Sequence, residues 1–140
     1  MVHEDLTRRV IGAAIRVHHT LGTGFVESVY QHALARELRL QGAGVACERR
    51  LQVRYRDVVV GEFAADMVVD GVVLVENKAV RALAPVHGAQ VINYLAASGL
   101  AVGLLLNFGA GRLEFRRYVW GDEGNGKSKS FLQDGQDKGG

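Results

Sequence analysis

The run Val72-Val73-Leu74-Val75, closed by Glu76-Asn77-Lys78, constrains this chain more than any other stretch. A strand with one wet face alternates apolar and polar residues, because successive side chains point to opposite faces. Val72 to Val75 does not alternate, so this strand is covered on both faces. A strand covered twice needs a layer above and a layer below, which means a sheet packed between helices. The charged triplet at its end has two readings: a solvated strand terminus, or groups with chemical work to do there.

The rest of the chain supplies those layers. Leu6, Val10, Ala13, Ala14 and Val17 recur at helical spacing and predict a helix from Asp5 to Leu21. Gly22 and Gly24 break it. Val29, Ala33, Leu34, Leu38 and Leu40 predict a second helix over about Val26 to Gln41, ended by Gly42 and Gly44. The period then changes to two. Leu51, Val53 and Tyr55 alternate with Gln52, Arg54 and Arg56. Val58 to Val69 reads as a strand, and Asp70-Gly71 is a hairpin signal leading into Val72–Lys78. Pro85 opens a helix over about Val86 to Ala97. Ala101 to Asn107 is another buried strand, and Leu113 to Trp120 a last one. The order α-α-β-β-β-α-β-β describes an α/β (α+β-like) fold with a central mixed β-sheet flanked by helices. Residues 1–120 form one domain, and the Gly-, Lys-, Ser- and Asp-rich residues 121–140 read as a disordered tail.

With 48% hydrophobic residues in 140, the core needs no disulfide or metal to close it. Cys47 is the one cysteine, which excludes a disulfide framework and a cysteine-rich zinc site and fits a reducing compartment. The first residues lack a secretory signal, and no stretch reaches the ~20 apolar residues of a membrane span. A soluble cytoplasmic protein is expected. Net charge is only +2, yet the cations of residues 1–120 are arginines apart from Lys78. Arg49, Arg50, Arg54 and Arg56 cluster, as do Arg112, Arg116 and Arg117. Arginine's planar donor fork suits phosphate, and solvated strand faces use it equally well.

Two carboxylates can meet at the end of the central strand. Glu76 and Lys78 share one of its faces and Asn77 points to the other. Asp66 lies in the preceding strand among Ala64, Ala65, Met67 and Val68, where a charge must be paired, hydrogen-bonded or held on a metal. Symmetric pairing about Asp70-Gly71 sets Val69 opposite Val72 and Asp66 opposite Val75, diagonal to Glu76. A divalent cation relieves the repulsion of such a pair, and hard oxygen ligands suit Mg²⁺ or Mn²⁺. Lys78, on the same face as Glu76, can orient water at the cation and steady charge growing on a phosphate. An ordinary Asp–Lys or Glu–Lys ion pair is the competing reading. His87 reads as a helix cap before a proton carrier, and His18-His19 as a complement to the first helix's dipole. Tyr30, one turn beyond Glu27, could orient that carboxylate or serve as a core aromatic.

The D-x9-E-x-K spacing from Asp66 to Lys78 resembles the PD-(D/E)XK nuclease superfamily. The segment GFVESVY, with Gly24, Glu27 and Tyr30, resembles the G-x-x-E-x-x-Y signature of the GxxExxY protein family, a branch of that superfamily. PVHGAQVINYL carries a similar helix with a Q-x-x-x-Y element at Gln90 and Tyr94, and GLAVGLLLNFGAGRLEFRR is similar to the family's closing strands. The resemblance runs from Leu6 to Val119. It implies a restriction-endonuclease-like core and metal-dependent hydrolysis of phosphodiesters, leaving a 5′-phosphate. Asp66 and Glu76 would hold Mg²⁺ (or Mn²⁺), Lys78 would be the catalytic lysine, and Glu27 a further ligand or water-positioning acid. Gln90 and Tyr94 would border the site. Arg49, Arg50 and Arg54, with Lys78 and Gln90, would hold nucleic acid, with DNA ahead of RNA. Two positions depart from the family pattern: Asn77 stands where an aliphatic residue is common, and Ala64 where arginine is. No separate DNA-reading motif is present, so specificity would be weak or would come from a homodimer or a partner protein. The alternative is a catalytically silent nucleic-acid-binding or regulatory module on the same fold.

Overall fold

The computed structural model describes residues 2–121 and the backbone of residues 129–136. Helices α1 (Glu4–Leu21) and α2 (Glu27–Leu40) come first. Strands β1 (Val45–Tyr55), β2 (Val58–Val69) and β3 (Val73–Lys78) follow, then α3 (Pro85–Ser98), β4 (Val102–Asn107) and β5 (Glu114–Trp120). The fold is the expected mixed sheet flanked by three helices, in the expected order. A further strand, β6 (Lys129–Gln136), pairs antiparallel with β5. These residues belong to the segment expected as a disordered tail; the remainder of 122–140 lies outside the described residues. A ladder is made by backbone groups, so β5's open edge can be extended by a segment whose composition does not announce a strand.

The sheet runs in the order β1-β2-β3-β4-β5-β6. Only β3 and β4 are parallel among its pairs, joined by the crossover through α3. Val73, Val75, Val102, Leu104 and Leu106 face α1 and α2, where Val10, Ala14, Tyr30, Leu34 and Leu38 complete the larger core. Leu74 and Leu105 face the other way, against Val91 and Leu95 of α3. β3 is therefore the twice-covered strand its composition demands. α3 sits close to β4 because Gly103 has no side chain; a Cβ there would meet Val91 Cγ1 at 2.8 Å. Among the described residues no helix is long and apolar enough to cross a membrane.

The second arginine cluster is a cluster in sequence alone. Arg112 is exposed, whereas Arg117 is 0% exposed and turned toward α1. There its Nε donates to Thr7 Oγ1 at 3.3 Å and a terminal nitrogen donates to the carbonyl of Val2. Burial lowers the Arg117 pKa, opposed by the charge of Glu4. Alternation along β5 is the cause: Arg116 and Arg117 must point to opposite faces.

Candidate active site

The β2–β3 ladder stops where the acids begin. The turn forms as Asp70-Gly71 suggests, with positive φ at both residues and Val72 N–H donating to the Val69 carbonyl at 3.0 Å. The ladder then resumes one residue later than symmetric pairing predicts. Val69 stands opposite Val73, Val68 opposite Leu74 and Met67 opposite Val75. Continuing that register sets Asp66 opposite Glu76 rather than Val75. This corrects the expected diagonal, and the cause is the extra residue, Val72, on the β3 side of the turn.

Beyond Met67 and Val75 the two carboxylates take over from the ladder. Glu76 Oε2 accepts the Asp66 N–H at 2.7 Å, and Asp66 Oδ2 accepts the Asn77 N–H at 2.8 Å. Each acid thus satisfies a backbone donor of the opposite strand and keeps its second oxygen. Glu76 is 3% exposed and Asp66 half-buried. Burial pushes the Glu76 carboxyl up to about 8, reinforced by the charge of Asp66 and eased by the Asp66 N–H and by Lys78. Burial likewise raises Asp66, against the lowering effect of the Asn77 N–H, with Glu48 and Glu27 adding repulsion and Lys78 attraction. Burial and mutual repulsion favour the uncharged form at both acids, a conflict that a bound cation would relieve.

The remaining expected residues divide. Lys78 shares β3's α3-facing side with Leu74 and Glu76, and its charge acts on both acids. Glu27 is the first residue of α2 and acts on Asp66. Tyr30 does not hold Glu27; its hydroxyl donates to the Gly22 carbonyl at 2.6 Å and accepts the Phe25 N–H at 3.2 Å. Its ring stacks on Phe108 at 4.8 Å. It fastens the Gly22–Gly24 turn that delivers Glu27 to the top of α2, so it is a core aromatic and a clip together. Gln90 Nε2 donates to Tyr94 Oη at 2.9 Å, and the Tyr94 ring stacks on Phe63 at 3.9 Å. Burial and the charge of Glu76 raise the Tyr94 hydroxyl, which puts that residue beside the acids. His87 Nδ1 accepts the Ala84 N–H at 2.9 Å and so caps α3.

Asn77 points into the α1–α2 side, fully buried. Its Nδ2 reaches Met67 Sδ at 3.4 Å and its Oδ1 finds no partner among the described residues. The loop after β3 is fastened by Asn107, whose Oδ1 accepts Val80 N–H and whose Nδ2 donates to the Val80 carbonyl, both at 2.9 Å. Arg49, Arg50 and Arg54 lie exposed on β1. Arg50 pairs with Glu62 at 3.3 Å and Arg54 donates to Gln52 Oε1 at 3.2 Å, weak surface contacts that a phosphate could displace.

One residue of the site escapes the sequence. Glu48 acts electrostatically on Asp66 and Glu76. Arg54 pairs with Val59 but Val53 pairs with Gly61, so the β1–β2 register slips by one at Val60. Counting back evenly from the Arg56-Asp57 turn sets Glu48 opposite Ala65; the slip brings it opposite Asp66. Gly61, next to the slip, marks a bend in this strand beforehand, but it does not say which way the register moves.

Among the described residues no three His, Cys, Asp or Glu side chains already form a group able to hold a metal ion. Asp66 and Glu76 are the donors best suited to one: anionic oxygens, half or fully buried, each with an oxygen not committed to the backbone. A family model for the PD-(D/E)XK nuclease superfamily matches residues 4–118. Searches of curated proteins and of solved structures return no match. The match takes in all three helices, the first four strands, β5 as far as Tyr118 and every acid described above, and the chain belongs to the PD-(D/E)XK nuclease superfamily.

Proposed function

We propose that this protein is a nuclease of the GxxExxY branch that needs Mg²⁺ or Mn²⁺ and cuts phosphodiester bonds, with DNA as the preferred substrate. The observation that carries the reading is the Asp66–Glu76 pair, two acids meeting at the end of a buried strand with Lys78 on the same side. Asp66 and Glu76 would hold the cation, with Glu27 as a further ligand or an acid that positions water. When bound, the cation supplies Lewis-acid activation of water and of the phosphate. Lys78 stabilises negative charge that builds on the phosphate. Gln90 and Tyr94 border the site, where the Gln90–Tyr94 hydrogen bond and the Phe63 stack hold both side chains in place. Arg49, Arg50 and Arg54 lie along β1 beside Glu48 and would grip the backbone of the nucleic acid.

A second reading, a nucleic-acid-binding module without catalysis, has one observation in its favour: no group of three ligands is already assembled among the described residues. A cleavage panel separates the two. Single-stranded, duplex, nicked and branched DNA and RNA are incubated with Mg²⁺ or Mn²⁺, with Glu76→Ala as control. Cleavage that needs the cation and disappears in Glu76→Ala supports the nuclease. Binding without cleavage under every condition supports the silent module.

A further inference from the structure

We propose that the groove between β1 and α3 holds an unpaired strand of nucleic acid, which makes the substrate a single strand or a duplex with a single-stranded end. The proposal rests on the nuclease reading above and names the form of its substrate. The open groove has a volume of about 940 Å³. That is at the upper end of the ~300–1,000 Å³ typical of small-molecule sites, room for a nucleotide. It begins beside the acids. Arg50 pairs with Ala64, two residues from Asp66, so the near end of the groove lies about 7 Å along β2 from that acid. Leu51 pairs with Phe63, and Phe63 stacks on Tyr94, whose hydroxyl feels the charge of Glu76. A strand lying in the groove would pass the Phe63–Tyr94 stack to reach Asp66 and Glu76.

Three kinds of group line the groove, and together they match a nucleotide better than a duplex. Leu51, Val53 and Ala96 are apolar. Arg50 and Arg54 are cationic and exposed. Gln52 and Asn93 carry exposed amides. No acid lines the groove among the described residues. Arginine suits phosphate, and an amide both donates to and accepts from the edge of a base. The apolar walls gain only from the face of a base. In a duplex those faces are stacked on one another, so a duplex would engage the arginines and leave the walls and amides idle. The groove also leads to an aromatic ring. Leu51, Val53 and Tyr55 share one face of β1 by alternation. Tyr55 is 63% exposed and belongs to neither core. The Arg56 guanidinium lies 5.6 Å from the centre of its ring. An exposed tyrosine braced by an arginine, in line with an arginine-lined groove, is a stacking platform for a base.

Fluorescence anisotropy with the whole chain in a chelator, where cleavage cannot intervene, tests this on three labelled DNAs: a single strand, a blunt duplex, and the same duplex with a single-stranded end. Phosphate contact alone favours the duplex, whose charge density is higher. Base contact should reverse that order, with the single strand and the overhang bound roughly fivefold or more tighter than the blunt duplex. Two variants should each remove most of the preference without moving the melting temperature: Tyr55→Ala, and the pair Asn93→Leu with Ala96→Leu, which fills the groove from two exposed positions of α3. If wild type binds the blunt duplex as tightly as the other two, or if the filled groove keeps the preference, the proposal falls. It falls too if polyglutamate displaces the labelled single strand as well as unlabelled single strand of equal charge does, since the groove would then be a site for an acidic peptide. In each of these cases the nuclease reading still stands on its cleavage panel. A wild-type protein that binds no nucleic acid and cuts none sinks both.

Discussion

At the scale of single residues, the two acids of β2 and β3 were legible as types and not as geometry. A lone Asp66 among alanines and valines, and a Glu76 at the end of an apolar strand, are costly enough that each must have a reason. Sequence could not say that each would accept the other strand's backbone N–H. Asn77 is the reverse case. The sequence marks it as an oddity, and the structure leaves its Oδ1 buried without a partner. The raised Glu76 carboxyl makes a direct prediction. Its ordinary value is 4.5 and in the folded, metal-free protein it lies at about 8. Between those values the folded chain holds a proton that the unfolded chain has released. Stability from this group is complete below about 4.5, declines as pH rises, and is gone above about 8. Asp66 is shifted in the same direction and adds to the decline. Melting temperature measured in a chelator should therefore fall across this window. Glu76→Gln, which imitates the protonated form and keeps an acceptor for the Asp66 N–H, should flatten most of that fall. A Glu76→Gln protein with the wild-type slope would mean that some other group titrates.

At the scale of elements, strand and helix identity came through and register did not. Periodicity settles whether a segment is a helix or a strand because burial repeats with it. Register depends on single extra residues, here Val72 after the β2–β3 turn and Val60 in the β1–β2 arm. Each moves a partner strand by one place, which is the difference between an acid facing its neighbour and an acid facing away. The seating of α3 was equally invisible, because it depends on an absent side chain. Gly103 lets Val91 and Leu95 lie against β4. Gly103→Ala should force the helix outward or the side chains off their rotamers, at a cost of about 1–3 kcal/mol in urea unfolding. Since α3 also carries Gln90 and Tyr94, the variant should lower cleavage more than it lowers the fraction folded. Equal stability to wild type would show that the close approach is not a constraint.

At the scale of the whole molecule, a net charge of +2 hides a division of labour. The acids gather where β1, β2 and β3 meet, while Arg49, Arg50 and Arg54 follow Glu48 along β1 toward the hairpin tip. An anionic polymer approaching the acidic row would be repelled by it without a cation, and Lys78 together with the arginines of β1 would offset that repulsion. Arginine's place in sequence alone was not enough to find this arm: the same composition near Arg117 produced a buried clip instead of a surface. The arm's role can be read from salt. Each phosphate neutralised by a cationic side chain contributes roughly 0.9 to the slope of log affinity against log salt on duplex DNA, and roughly 0.7 on a single strand. Replacing Arg49, Arg50 and Arg54 together with glutamine should reduce that slope by about 2–3 and weaken binding most at low salt. The melting temperature should barely change, since these side chains are exposed and their surface contacts contribute little. Binding in a chelator, so that cleavage cannot intervene, gives the slope directly. An unchanged slope would move the nucleic acid to another face, and the acidic row would then have to receive its substrate without help from the strand beside it.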